Sequence, residues 1–128
     1  MKSDNIIQQK SFEFAIRIVN VYKFLIFEKK EFVLSKQLLR SGTSVGANIE
    51  ESIGGQSDRD FLSKISISYK EERETMYWLK LQATDSLSEQ EATSLLNDAN
   101  EICKILGKIQ MTVKNKIQIT NEKLRKQP

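Results

Sequence analysis

The only proline in the sequence is Pro128, so positions 1–127 hold no residue that locks a backbone dihedral or removes an amide from a helical ladder. A chain without that constraint can carry helices of many turns. Projected at about 100° per residue, its apolar residues fall into four helical segments, at about 4–29, 34–53, 57–84 and 88–119. Short connections make sequential helices antiparallel. The expected fold is therefore all-α, an up-down-up-down four-helix bundle formed by residues 1–119, with 120–128 a frayed basic tail.

The segment ends carry their own signals. Gly54-Gly55 closes the second helix, being the pair best able to take a left-handed terminal conformation. Ser57 with Asp60 opens the third, and Ser88-Glu89-Gln90-Glu91 forms a capping box for the fourth. The fourth helix then runs as one apolar stripe through Ala92, Leu95, Ala99, Ile102, Cys103, Leu106, Ile109 and Val113.

Composition narrows the chemistry. With no histidine, the Ser-His and Cys-His nucleophile pairs, imidazole metal sites and the Glu-x-x-His motif of di-iron bundles all drop out. The single cysteine, Cys103, sits among apolar neighbours and reads as a core residue. No cofactor motif, metal site or small-molecule substrate is indicated, and a non-enzymatic role is expected. The absence of an 18-residue apolar run or a signal-type apolar block points to a cytoplasmic protein without a membrane partner.

Two faces carry more apolar surface than one bundle interior can hide. The first helix has a core stripe of Ile7, Phe14, Ile18, Val21 and Leu25, and a second stripe of Phe12, Ile16, Val19 and Ile26. The third turns Phe61, Ile65, Ser68, Glu72, Met76 and Leu79 one way, and Ile67, Glu71, Glu74, Trp78 and Leu81 another. Self-association is the simplest way to cover the surplus. Glu71 and Glu74, set among apolar residues, need donors such as Arg40, Ser44, Asn48 or Lys64. They read as a structural polar network, between helices or between subunits; the sharper alternative is an acid/base pair.

The remaining sector of the third helix reads Arg59, Ser63, Ser66, Lys70, Arg73, Tyr77, Lys80, a basic face without an acid. After Glu101 come Lys104, Lys108, Lys114, Lys116, Lys123, Arg125 and Lys126 against Glu122 alone. Such a surface can track phosphates, with Tyr77 available to stack on an unpaired base. The net charge of only +3 means that this case rests on where the charges lie. An ordinary solvated face is the alternative.

One long segment also carries a family resemblance. Leu38-Leu39-Arg40-Ser41-Gly42-Thr43-Ser44-Val45-Gly46-Ala47-Asn48-Ile49-Glu50-Glu51, then Ser57 with Asp60-Phe61, then Glu71-Glu72-Arg73-Glu74-Thr75-Met76-Tyr77-Trp78-Leu79 resemble the bacterial 23S rRNA intervening-sequence proteins. The resemblance implies a four-helix bundle assembled as a homopentameric ring, and nucleic-acid binding like that ascribed to related accessory proteins of diversity-generating retroelements. It places Arg40, Ser41, Ser44, Asn48, Glu51, Glu71, Glu74 and Trp78 at packing and interface positions. The sequence-based expectation is thus a homo-oligomeric bundle that binds RNA or DNA with low specificity through Arg59, Lys70, Arg73, Tyr77, Lys80, Lys104, Lys108, Lys114 and Lys116. The alternative is an oligomeric protein-interaction scaffold.

Overall fold

Ile7, Phe14, Ile18, Val21 and Leu25 are all buried, so the first apolar stripe faces a core, as its spacing predicts. The computed structural model describes residues 2–127, with side chains from Ile6 to Gln127, and the regular elements among them are four helices. These are α1 (Lys2–Phe27), α2 (Leu34–Ile53), α3 (Asp58–Gln82) and α4 (Glu89–Arg125).

Partners across each seam run in opposite directions. Gln8 meets Glu50 and Ile18 meets Gly42 between α1 and α2. Glu51 meets Lys64 and Ser41 meets Thr75 between α2 and α3. Gln110 meets Ser66 and Cys103 meets Met76 between α3 and α4. Lys10 meets Glu101 and Arg17 meets Glu91 between α4 and α1. That closed cycle is the antiparallel up-down-up-down bundle. Phe14, Ile18, Leu25, Leu38, Ile49, Ile65, Leu79, Leu95, Ile102 and Leu106 fill its centre, each essentially inaccessible to water. Burying one such side chain is worth about 1.5–3 kcal/mol, which is why the apolar stripes, not helix propensity alone, hold the helices in place.

The helix ends depart from the sequence reading in instructive ways. Gly54 has φ −82°, and among the described residues no glycine takes positive φ; α2 ends without a left-handed cap. Gly55 is needed for space instead, since a Cβ there would lie 3.0 Å from the Ser52 carbonyl oxygen. The left-handed residue is Lys30, with φ 56°, where the chain reverses after α1. Ser57 accepts the Asp60 amide hydrogen at 3.1 Å, and Ser88 accepts that of Glu91 at 3.2 Å. The Glu91 carboxylate lies 3.6 Å from Arg17 across the α1–α4 seam.

At the start of α2 the cap comes from outside the helix. The Glu31 carboxylate accepts amide hydrogens from Val33, Leu34 and Ser35 at 3.1, 2.8 and 2.7 Å, and one from Gln82 Nε2 at 3.2 Å. It satisfies the orphan amides that any helix start leaves open and ties the α1–α2 turn to the end of α3.

Residues 120–125, expected to fray, belong to α4. The 37 residues of α4 reach roughly 55 Å, against roughly 37 Å for the 25 of α3. Lys123 and Arg125 stand in the last turn, where cations favour the negative helix end. Pro128 lies outside the described residues.

Candidate nucleic-acid interface

The third-helix sector identified by charge is a real surface. Arg59, Lys70, Arg73, Tyr77 and Lys80 are all exposed and recur at spacings that keep them along one side of α3. Among the described residues none of these four cations lies within ion-pairing distance of a carboxylate, although Glu71, Glu72 and Glu74 are sequence neighbours. Glu71, Glu72 and Glu74 are partly or fully buried, while these four bases face water. Arg73 lies 5.9 Å from the Tyr69 ring centroid, which gives its guanidinium a fixed platform. Tyr77 is 57% exposed and braced edge-to-face against Trp78, the ring centroids 5.2 Å apart.

Ser66 is drawn into the α3–α4 seam, where its hydroxyl accepts from Gln110 Nε2 at 3.0 Å. Lys114 continues the basic face onto α4, sharing a cavity with Arg59. The other α4 lysines do not all join it. Lys104 and Lys108 are exposed, but Lys108 stands roughly 120° around the helix from Lys114. Lys116 points to another side and lies 3.5 Å from Asp58.

Of the four donors expected for Glu71 and Glu74, Arg40 is the one that reaches them among the described residues. Arg40 reaches Glu71 at 3.3 Å and bonds Glu74 more closely, and Trp78 Nε1 donates to the same Glu74 oxygen at 2.8 Å. Ser44 and Asn48 do not meet these acids: they bond the carbonyls of Arg40 and Ser44 within α2. Lys64 pairs with Glu51 at 2.8 Å. Ser41 is buried and accepts from the Thr75 hydroxyl at 2.9 Å. Glu71 and Glu74 therefore share one guanidinium at a half-buried seam, and this common partner does not set the two apart as an acid and a base.

The fully buried carboxyl is Glu72, whose two oxygens have no hydrogen-bond partner among the described residues. Burial, and then the charge of Asp98, push it up to about 9, so it carries a proton at neutral pH. Cys103 is buried beside it, its Sγ 4.0 Å from Met76 Sδ, and burial pushes its thiol up to about 11. A protonated thiol there packs as a small hydrophobe.

Sequence reasoning missed one cluster. Where α4 overruns the start of α3, Arg59, Lys114 and Arg125 line an open groove together with Leu62, Ile117 and Glu122. Composition assigns Arg125 to a frayed tail; its helical spacing from Lys114, eleven residues or about three turns, was the available signal.

Bundle, polar network and basic face together define a small helical protein with an outward-turned cationic surface. A sequence model of the 23S rRNA-intervening sequence protein family matches residues 3–108, and the chain belongs to that family. Among solved structures it is similar to a protein of unknown function from the S23 ribosomal protein family of Bacteroides thetaiotaomicron. The two share 52% identity with a TM-score of 0.83, over 85% of this chain and 98% of the other. No curated protein matches the chain. Among the described residues, no helix is long and apolar enough to cross a membrane.

Proposed function

We propose that this protein is a non-enzymatic homo-oligomeric bundle, acting in the cytoplasm, that binds RNA or DNA with low sequence specificity along α3 and the adjoining edge of α4. The observation that carries this reading is the exposed row Arg59, Lys70, Arg73 and Lys80, with Tyr77 within it and no carboxylate paired to any of the four among the described residues. Unpaired cations at intervals of one to three turns suit a polyphosphate backbone, where affinity comes from counterion release and carries no sequence information. Lys114 extends the track, Lys104 and Lys108 add a general positive field, and Lys116 contributes least because Asp58 stands beside it.

Self-association is supported by the exposed apolar residues of α1, where Phe12 and Ile16 are 67% and 47% exposed. A pentameric ring is the assembly that the family resemblance implies. The same residues favour a second reading, in which the assembly is a protein-interaction scaffold with no nucleic-acid role.

Fluorescence anisotropy with structured RNA, single-stranded DNA and duplex DNA across a salt series separates the two. Phosphate binding weakens steeply with salt. Reversing Arg59, Lys70, Arg73 and Lys80 to glutamate is expected to abolish binding while light scattering shows the same assembly. Unchanged affinity sinks the α3 surface, and salt-independent affinity sinks the electrostatic reading.

A further inference from the structure

Where the chain reverses between α1 and α2, large apolar side chains stand in water at one end of the bundle. Phe24 and Phe27, one turn apart at the end of α1, are exposed, and so are Phe32 and Val33 just before α2, Val33 by 74%. Hydrogen bonds fix the reversal between the two pairs: the Glu31 amide donates to the Leu25 carbonyl at 2.9 Å, and the Val33 amide donates to the Glu31 carboxylate at 3.1 Å. An ordered turn therefore holds these apolar residues out.

Cations accompany them. Lys23, Lys29, Lys30 and Lys36 are exposed, and among the described residues none of the four lies within ion-pairing distance of a carboxylate. Lys29 Nζ lies 5.8 Å from the Phe24 ring centroid. Lys30 takes a left-handed backbone, φ 56°, that glycine adopts at less cost, and so places a charge in the turn itself. Between Lys23 and Lys36 the acids are Glu28, which is exposed, and Glu31, whose carboxylate is occupied as the α2 cap. Asp85 and Glu89 are exposed at the same end of the bundle, in and beside the connection between α3 and α4.

We infer that this tip attaches the protein to the surface of an anionic lipid bilayer, its phenylalanines entering the boundary between headgroups and acyl chains and its lysines resting on the headgroups. Phenylalanine and valine side chains form no hydrogen bonds, so what they gain on leaving water is burial in an apolar phase. The lysine stems can follow that apolar surface while their charges stay with anionic headgroups. Either attraction alone gives marginal attachment, and the tip supplies both. Packing the tip against the same tip of a second copy would instead bring its unpaired lysines together, at a cost. A surface attachment needs none of the long apolar run that spans a bilayer, and it uses none of the residues of the α3 track.

The test is co-sedimentation of the full chain with vesicles of phosphatidylcholine alone, and with vesicles of equal parts phosphatidylcholine and phosphatidylglycerol. Binding is expected to the anionic vesicles and is expected to weaken as salt rises. Phe27→Gln combined with Phe32→Gln is expected to lower that affinity at least about tenfold, through lost apolar burial. Lys29→Gln combined with Lys36→Gln is expected to lower it by a similar factor, about fivefold for each charge. All four side chains are exposed, so both variants are expected to keep the helical circular dichroism of the parent. Absence of binding to the anionic vesicles overturns the inference. Binding that survives the phenylalanine pair overturns it too, since attraction to the α3 cations alone would behave that way. A fall in assembly mass with the phenylalanine pair, seen by light scattering, assigns the tip to a subunit contact and overturns it as well.

Discussion

Gly42 leaves the space that Ile18 occupies: a Cβ built on Gly42 would stand 2.9 Å from both branches of that side chain. Ile18 is fully buried and β-branched, so it has little freedom to move aside, and the α1–α2 approach depends on the missing methyl. Gly42→Ala trades a helix-propensity gain of about 1 kcal/mol against an overpacking cost of about 1–3 kcal/mol. The expected net is a loss of about 1 kcal/mol in urea denaturation. Gly107 is the control, because a Cβ there meets nothing within 4 Å. Gly107→Ala is expected to gain up to about 1 kcal/mol.

Glu72 gives the protein an alkaline weakness. Its carboxyl is raised by burial and by Asp98 from an ordinary value of 4.5 to about 9, so the folded state holds a proton that the unfolded chain releases. Stability from this group is complete below 4.5, declines as pH rises from there towards 9, and is level beyond. At pH 7 the loss is of the order of 3 kcal/mol. Glu72→Met replaces the orphaned carboxyl with an apolar side chain beside Met76 and Cys103. The variant is expected to exceed the parent in denaturant midpoint at pH 8.5, with the gap shrinking towards pH 5. A constant gap across that range would falsify the buried-proton account.

Glu31 produces the opposite signature. Burial opposes its ionisation, but hydrogen bonds from the Leu34 and Ser35 amides, Gln82 and the Val33 amide outweigh that cost and hold the carboxyl below 4.5. Its contribution is present at neutral pH and lost as pH falls through that lowered value. Glu31→Ala is expected to cost about 1–2 kcal/mol at pH 7, the scale of a lost helix cap. In acid, parent and variant should converge, which thermal unfolding at pH 3 and pH 7 measures directly.

These carboxylates mark how far the sequence can be read. The core stripes were legible because Ile7, Phe14, Ile18 and their counterparts repeat at the helical period without a proline to disturb it. Glu71, Glu72 and Glu74 are separable by phase alone, since each residue turns the helix by about 100°. That phase puts Glu72 on the core face but does not say that it lacks a partner, which depends on side chains from α4. The Glu31 cap was hidden because it lies three residues before Leu34, in a turn shaped by Lys30, and not at a conventional capping position. The second apolar stripe of α3 was half misleading: Trp78 and Leu81 are partly covered within this one chain, leaving Ile67 39% exposed. The end of α4 was misread because polar composition was equated with fraying, although nothing there breaks a helix.

The N-terminal half of the second α1 stripe has no such cover, and it carries the argument for assembly. Phe12 and Ile16 are one turn apart on a face turned away from the core, while Val19 and Ile26 further along are half-buried. Leaving an exposed phenylalanine and isoleucine in water forfeits about 25 cal/mol for each Å² that a partner subunit would cover. Replacing Phe12 with Lys and Ile16 with Glu removes that gain without touching Phe14 or Ile18, which fill the core. The double variant is expected to keep its helical circular dichroism and to fall to monomer mass in light scattering at micromolar concentration. An unchanged assembly would move the interface away from α1, and a parent protein that is already monomeric would remove the need for one.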